Sequence, residues 1–343
     1  MTIDAHCHYI PPAFLDLVRR DGARLGQCLE PGPGEGAATL APSGLAVTPL
    51  FTDLDAQRAE MDASDVTVRV LSPPPQLFLY AVDAGAMAEA CRVVNDATAE
   101  AVASANAKRA AAATADAEGE GVARFAAWAL RPLQDPQGAA REAERAVRSL
   151  GMRGLYIGSN VNGRGLDAAE LAPVWEAAER LDVPILVHPW EPAGADRLRD
   201  FHLTVLAGFL FDTTIQVVRL IFSGTLDRFP GLTFVLCHAG GYAIPLAGRI
   251  RRECAVTPSA AAALKAPLRD YLRRFAYDTI GLDAAYLRHV IETVGVDRFV
   301  LGSDRPFGLG DPDPVGSVRA LDLPPADRDA IFAGNARRLL RLA

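Results

Sequence analysis

In the stretch Thr2-Ile3-Asp4-Ala5-His6-Cys7-His8, two apolar positions precede a His-x-His motif. Side chains alternate between the two faces of a β-strand, so a strand here places His6 and His8 on one face and Cys7 on the other. Two imidazoles about 6–7 Å apart on one strand face can bind the same metal ion, and imidazole is a common ligand of zinc and related metals. An ordinary surface or core pair fits the motif equally well, so the rest of the chain must decide.

The composition limits the classes of protein that the chain can be. It has 343 residues, half of them apolar, and a formal net charge of −7. This length can form one large barrel or two ordinary domains. The acidic balance without a basic block argues against a nucleic-acid partner. No apolar run reaches the length of a membrane span, and the opening strand leaves no room for a signal peptide.

The cysteines predict the cellular compartment. There are five, an odd number, and no two of them form a C-x-x-C motif. Such scattered cysteines are typical of free thiols in a reducing cytosol, and not of a disulfide framework or a thiolate metal site. We therefore expect a cytoplasmic protein.

After residue 64 the chain alternates short apolar, β-rich runs with helical patterns, which is typical of βαβ units in a parallel sheet. With the opening stretch these runs make eight predicted strands, the later seven at residues 67–72, 124–130, 154–158, 184–188, 233–238, 275–279 and 299–304. Several runs are apolar throughout, as strands buried on both faces should be. Since no change in composition divides the chain, the sequence predicts a single α/β domain over residues 1–343, a (β/α)₈ TIM barrel.

A long insertion, residues 9–64, follows the first predicted strand. It contains a helical stretch at 13–20, a Gly/Pro-rich tract at 32–49 and a short helix at 54–63. A long loop directly after a strand that carries candidate ligands is more often an active-site cover than a disordered segment. We also predict a helix at 87–113, followed by a solvated low-complexity turn at 110–121.

Five polar residues end predicted strands. His6 and His8 end the first, His188 the fifth, His238 the sixth and Asp304 the eighth. In a barrel of this kind the reactive side chains lie at the carboxyl ends of the strands. Separate helix caps or core histidines can explain any one of these residues, but buried ionisable groups are costly unless they are paired or bound to metal. The pattern therefore indicates a metal-dependent active site, in which the seventh-strand aspartate at position 278 could hydrogen-bond to a ligand.

Four segments occur in a characteristic order: MTIDAHCHYIPP (1–12), LVHPW (186–190), LCHAGGYAIPLAGRI (236–250) and LGSDRPFGLG (301–310). Together they resemble the decarboxylase branch of the amidohydrolase superfamily, in particular the 2-amino-3-carboxymuconate-6-semialdehyde decarboxylase-like group. The resemblance extends over nearly the whole chain and includes GLYIGSNVNG (154–163) and GNARRLL (334–340). It is much more specific for the branch than for a substrate.

The resemblance implies a set of site residues. His6, His8, His188 and Asp304 match the ligands of one divalent metal ion, usually zinc, with Asp304 also counted among the catalytic residues. His238 matches a histidine that lies beside the metal-bound water and acts in proton transfer. The run GLYIGSN ends without the lysine that bridges two metals in other members of the superfamily, so one metal ion is predicted.

The resemblance also implies substrate-binding residues. Arg249 matches an arginine that reaches into the neighbouring subunit and holds a substrate carboxylate, which implies a homodimer. Trp190 matches a residue that lines the pocket. The sequence departs from the family pattern at Arg305, where tyrosine is usual, and residues 44–55 lack the arginine that binds a substrate carboxylate in the semialdehyde decarboxylase. We therefore predict a different substrate, with Arg305 either as a substitute anchor or in a salt bridge on the barrel rim.

These features predict a cytoplasmic, zinc-dependent, nonoxidative decarboxylase of a small unsaturated or aromatic carboxylic acid. Three neutral histidines and one carboxylate leave a coordination position open, which is typical of a catalytic metal site. A histidine nearby can move a proton near neutral pH. A lactonase-type hydrolase or a hydratase would use the same mononuclear site. A barrel without activity, serving as a binding subunit, is a further alternative that the complete ligand set argues against.

Overall fold

The first strand of the barrel, Ile3–His8, is buried along its whole length. The computed structural model describes residues 1–32, 37–112 and 124–342. Within these residues a parallel sheet of eight strands follows the order of the chain, and the strands are Ile3–His8, Val68–Ser72, Phe125–Leu130, Gly154–Gly158, Ile185–His188, Phe234–Leu236, Ala276–Asp278 and Phe299–Val300.

Backbone hydrogen bonds join the two ends of this sheet. The amide of Ala5 donates to the carbonyl of Leu301 at 2.8 Å, and the amide of Asp304 donates to the carbonyl of His6 at 2.8 Å. The amide of His8 donates to the carbonyl of Arg305 at 2.7 Å. These contacts bring the first strand beside the eighth, and the predicted TIM barrel is confirmed.

Helices surround the barrel, and several begin at a proline or at an aspartate cap. Asp135 accepts a hydrogen bond from the amide of Gly138 at 3.0 Å and precedes Pro136, a favourable first residue for a helix. The α-helices are Pro12–Leu25, Pro49–Thr52, Leu54–Ala63, Ala84–Ala112, Pro136–Arg148, Ala172–Leu181, Phe209–Phe222, Thr225–Arg228, Ala247–Val256, Pro258–Ala263, Leu268–Leu272, Ala284–Val294, Pro314–Arg319, Pro325–Asp329 and Asn335–Leu340. Most of the low-complexity turn predicted at 110–121 lies outside the described residues.

The barrel interior is packed tightly. Every residue of Phe125–Leu130 and Gly154–Gly158 is buried, as expected for continuous apolar strands covered on both faces. Trp128 lies directly over Gly154, where a Cβ atom would overlap its ring. The glycine is therefore required by the close approach of this side chain to the neighbouring strand.

Two predicted strands end two or more residues earlier than expected. Regular strand structure in the sixth ends at Leu236 and in the eighth at Val300, short of the predicted ends at His238 and Asp304. Both later residues have left-handed backbone conformations, with φ of 56° and 57°. This conformation breaks the strand, is uncommon outside glycine, and is frequent at functional sites.

The insertion contains structure that the sequence does not predict. Three short strands, Cys28–Pro31, Ala38–Ala41 and Leu45–Val47, form an antiparallel sheet between the helices Pro12–Leu25 and Pro49–Thr52. Their side chains are mostly exposed or half-buried, so no alternating apolar pattern marks them. A second small antiparallel pair, Asn160–Val161 and Arg164–Gly165, follows the fourth barrel strand.

One helical segment, Thr204–Phe222, is long and apolar enough to cross a membrane by length and composition alone, with a mean hydropathy of 1.7. This differs from the expectation based on unbroken apolar runs. Half of its hydropathy window is buried, and Val217, Leu220 and Ile221 pack into the core. The segment thus serves as an outer helix of the barrel.

Candidate active site

Three buried histidines face one another at the carboxyl ends of two strands. His6 and His8 lie on the same face of the first strand, and their ring centroids are 5.1 Å apart. His188 ends the fifth strand, with its ring centroid 5.3 Å from that of His6 and 5.5 Å from that of His8. The alternation of side chains along the first strand produces this cluster.

Each of these rings is oriented by a hydrogen bond at Nδ1. The partners are Asp278 Oδ2 for His6 at 2.7 Å, Pro73 O for His8 at 3.1 Å and Pro189 O for His188 at 2.8 Å. A carbonyl or carboxylate oxygen only accepts, so we assign the proton to Nδ1 in all three rings. The lone pairs of the three Nε2 atoms are then free to bind a cation.

Asp304 adds a carboxylate to this cluster. Its Oδ1 atom lies 2.8 Å from His8 Nε2 and 3.4 Å from His6 Nε2. His188 Nε2 is buried and has no hydrogen-bond partner among the described residues. Lone pairs that face a carboxylate at these distances repel it unless a cation lies between them, so this donor set fits a divalent metal ion.

Burial and mutual contact set the charges of the site. Burial lowers the pKa of His8 and takes the pKa of His188 well below its ordinary value, which favours neutral imidazoles. Burial alone would raise the pKa of Asp304, but its contacts with the rings of His238 and His8 hold that pKa well below its usual range. At His6, burial is outweighed by Cys237 and Asp278, which raise its pKa well above the ordinary value. The site therefore offers neutral nitrogen donors at His8 and His188 and one ionised carboxylate.

His238 lies beside the same carboxylate, with its Nε2 atom 3.5 Å from Asp304 Oδ2. Donor atoms of His6, His188, His238 and Asp304 all lie within 4.8 Å of one another. His8 is outside this group of four although it contacts Asp304 directly. Distances alone thus leave His8 and His238 both in reach of a bound ion, and their roles require separate tests.

Asp278 links the histidine of the first strand to the turn that carries His238. Besides His6 it accepts hydrogen bonds from the backbone amides of His238 at 2.9 Å and Ala239 at 2.8 Å. The prediction that Asp278 hydrogen-bonds to a ligand residue is confirmed for His6. The same carboxylate also fixes the left-handed turn at His238.

The sequence analysis missed Asp4. It is fully buried and accepts hydrogen bonds from the amide of Ser303 at 3.0 Å and from its hydroxyl at 2.6 Å. Arg69 Nε also lies 3.3 Å from Asp4. These contacts hold the residue before Asp304 against the first strand. The available signal was an aspartate within the predicted first strand, two residues before the His-x-His motif.

A cavity of about 1040 Å³ opens onto this cluster, and His188, His238 and Asp304 are among its lining residues. Its walls are largely aromatic and aliphatic, and the rings of Phe209, Phe307 and Trp190 belong to them. The cavity combines a few convergent polar groups with apolar walls, as small-molecule sites do. A ligand in it would contact the histidine and carboxylate cluster.

The sequence profile of the amidohydrolase family matches residues 3–342. The chain belongs to the amidohydrolase family. It is 29% identical over 293 residues to 2-amino-3-carboxymuconate-6-semialdehyde decarboxylase from Dictyostelium discoideum, covering 84% of this chain and 77% of that protein.

Two solved structures resemble this amidohydrolase over nearly their whole length. The 5-carboxyvanillate decarboxylase of Sphingomonas paucimobilis has a TM-score of 0.82 at 26% identity. The match covers 100% of this chain and 99% of the decarboxylase chain. The dihydroxybenzoic acid decarboxylase of a Polaromonas species, solved with manganese and 2-nitroresorcinol, has a TM-score of 0.78 at 26% identity, with coverage of 99% and 96%. These likenesses support a metal-dependent decarboxylase with a divalent metal site.

The predicted substrate-binding residues Trp190 and Arg249 occupy different positions. Trp190 lines the cavity. Arg249 is exposed on the helix Ala247–Val256 and is not among the residues that line the cavity of its own chain.

Arg305 forms an ion pair on the barrel rim. Its Nε atom donates to Glu60 Oε1 at 2.8 Å, and the other carboxylate oxygen of Glu60 lies 2.8 Å from Arg69 NH2. Arg305 is not among the residues that line the cavity. Of the two roles considered for it, the observed contacts favour the rim salt bridge over the substrate anchor.

Proposed function

We propose that this amidohydrolase is a cytoplasmic, zinc-dependent, nonoxidative decarboxylase of an unsaturated or aromatic carboxylic acid. The single observation that carries the proposal is the convergence of three oriented Nε2 atoms and the Asp304 carboxylate at a cavity that also exposes His238. Its relatives with known activities include decarboxylases of aromatic acids.

The proposed metal ligands are His6, His8, His188 and Asp304. We choose His8 as the fourth ligand because its Nε2 atom directly faces Asp304, whereas His238 is more exposed. A donor set of three nitrogens and one oxygen suits zinc, and manganese is the alternative that the Polaromonas relative suggests. When bound, the ion stabilises negative charge that develops on the substrate during decarboxylation.

His238 is the proposed proton donor. The bond between the carboxylate carbon and its neighbour breaks, its electron pair stays on the neighbouring carbon, and CO₂ leaves. A ring nitrogen of protonated His238 gives its proton to that carbon, and neutral His238 regains a proton from water. No electron acceptor is needed, so the reaction is nonoxidative. Asp278 holds the backbone of His238 in place for this step.

We further propose a homodimer in which Arg249 of one subunit contacts the substrate carboxylate in the other. Its exposed position on the helix that follows the sixth strand supports this proposal. Sedimentation velocity should show a dimer, and Arg249→Ala should raise KM with little change in metal content. A monomer with full activity would exclude this part of the proposal.

The experiment that tests the function measures products. The protein is stripped of metal, reloaded with Zn²⁺ or Mn²⁺, and incubated with a panel of hydroxylated and unsaturated aromatic acids. We expect release of CO₂ in equal amount to substrate lost, and only with metal present. A ring-opened product from a lactone, without CO₂, would instead show a hydrolase.

A further inference from the structure

The charged side chains that line the cavity are unusual for a site that binds acids. Among the described lining residues, the side chains with a fixed formal charge are Asp283 and Asp304. These described residues include no lysine or arginine. The proposed metal ion, with the protonated His238 beside it, is thus the positive charge that the described lining of this chain offers to a bound acid.

Apolar walls begin at the metal centre. The ring of Phe307 lies 5.0 Å from that of His8, and the ring of Phe209 lies 6.0 Å from that of His188, centroid to centroid. Tyr286 also lines the cavity, and its hydroxyl donates to the backbone carbonyl of Gly241. The hydroxyl of Tyr286 is therefore already used, and its ring is left as an apolar surface.

The apolar character continues to the solvent. Five lining residues are large, apolar and between 37% and 55% exposed, and they are Val205, Leu206, Tyr242, Leu282 and Leu309. They come from the segments that follow the fifth, sixth, seventh and eighth strands, so four separate loops place apolar side chains around one opening, which we call the apolar mouth. Leu282 even adopts a left-handed backbone with φ of 54°, an uncommon conformation for leucine.

The cavity is also large for a single ring. Its volume of about 1040 Å³ lies at the upper end of the range, roughly 300–1,000 Å³, that is typical of pockets for drug-sized ligands. A one-ring acid held at the histidine cluster would leave the apolar mouth open to water. A longer apolar substrate would cover that surface and gain binding free energy from its burial.

We propose that the substrate carries one carboxylate on a bulky, mostly apolar body, which extends from the metal centre to the apolar mouth. The proposal rests on the proposed function, because the carboxylate must be held at the metal. A second carboxylate in the outer cavity would lose water without gaining a cation from the described lining of this chain, and Asp283 at the mouth would repel it. The substrate is thus larger than the small acid expected from the sequence, and it is not a diacid.

Equilibrium binding to the Zn²⁺-loaded protein tests this proposal without any turnover. The probes are benzoic acid, the 3- and 4-phenylbenzoic acids, and the biphenyl dicarboxylic acids that carry a second carboxylate on the outer ring. At least one phenylbenzoic acid should bind about tenfold or more tightly than benzoic acid, since a buried ring removes apolar area from water. The biphenyl dicarboxylic acid of the same geometry should bind at least about tenfold more weakly than that phenylbenzoic acid.

Variants at the apolar mouth locate the effect. Leu206→Asn should reduce the advantage of phenylbenzoic acid over benzoic acid, whereas Leu282→Arg should improve binding of the dicarboxylic acid. The control is Val256→Asn, because Val256 is 53% exposed but does not line the cavity. Val256→Asn should change neither the preference for phenylbenzoic acid over benzoic acid nor the affinity for the dicarboxylic acid.

Several results would overturn the proposal. One is equal affinity for benzoic and phenylbenzoic acids, and another is a dicarboxylic acid that binds as tightly as the monoacid. If Arg249→Ala abolished that tight binding, the missing cation would belong to a neighbouring subunit. If Leu206→Asn changed only the oligomeric state, the apolar mouth would be a subunit interface. Failure of the proposed function is distinct, because it appears as absent CO₂ release while these affinities are measured on acids that do not need to react.

Discussion

His188 shows how single residues prepare this site for a metal ion. Its Nδ1 atom is held by the carbonyl of Pro189, while its Nε2 atom is buried without a partner among the described residues. A buried nitrogen without a partner costs free energy that a bound cation would recover. His6 and His8 are likewise held at Nδ1 by other oxygen acceptors.

Asp278→Asn tests the residue that orients His6. The substitution removes the negative charge beside His6 Nδ1 and leaves one oxygen to accept from the three backbone amides that Asp278 now binds. We expect the affinity for Zn²⁺ to fall about 10–100-fold, the effect typical of losing a group that orients a metal ligand. Competition with a fluorescent chelator measures it. Asp135→Asn is the control, since Asp135 caps a helix and does not line the cavity, and equal affinity of the two variants would exclude this role of Asp278.

At the scale of elements, ion pairs connect the insertion to the second strand and to the segment after the eighth strand. Glu60 on the helix Leu54–Ala63 pairs with Arg69 on the second strand and with Arg305 after the eighth. Arg69 in turn contacts Asp4 beside the metal centre. This chain of contacts anchors the insertion helix to the segment that presents Asp304.

Glu60→Gln should destabilise the fold in a pH-dependent way. Burial alone would raise the pKa of Glu60, but the charge of Arg69 and the hydrogen bond from Arg305 outweigh it and lower that pKa. A lowered carboxyl pKa adds stability above the unfolded value near 4.5, and this stability is lost as the pH falls below it. We expect a loss of about 2 kcal/mol at pH 7 that shrinks toward pH 4, measured by urea unfolding. Asp55→Asn on the same helix is the exposed control, and a pH-independent difference would contradict the account.

Arg305→Met separates the two roles considered for Arg305. Since its guanidinium pairs with Glu60, we expect reduced thermal stability and an unchanged KM. Steady-state kinetics and thermal unfolding of the same preparation measure both. A KM raised about tenfold at unchanged stability would show that Arg305 binds substrate after all.

At the scale of the whole molecule, closure of the barrel brings residues about 300 positions apart into one site. Asp304 meets His8 because the first strand pairs with the segment after the eighth. A metal ion bound by both strands would join the two ends of the sheet. Metal binding and barrel stability are therefore coupled.

Removal of the metal should lower the melting temperature. An ion that binds only the folded chain adds about 4 kcal/mol when its concentration is a thousandfold above its dissociation constant. We expect chelation to lower Tm by several degrees and Zn²⁺ to restore it, measured by calorimetry. An unchanged Tm in the protein that regains activity with Zn²⁺ would contradict this coupling.

Much of the barrel and its cluster could be predicted from the sequence, since continuous apolar runs mark buried strands and polar residues at their ends mark the rim. The three-stranded sheet of the insertion could not, because its short strands are half-exposed and carry no alternation. The pairing of Glu60 with Arg305 joins residues 245 positions apart, and only the folded chain shows it. The roles of Asp4 and the left-handed turn at His238 likewise depend on tertiary contacts.

The central claim is that the metal ligands and the proton donor are different residues. The most direct measurement determines metal content and CO₂ release on the same preparations of wild type, His6→Ala and His238→Asn, with exposed His289→Ala as the control. We predict one metal ion per chain and no CO₂ release for His238→Asn, and loss of both for His6→Ala. A His238→Asn protein that loses its metal, or that still releases CO₂ at the wild-type rate, would contradict the account.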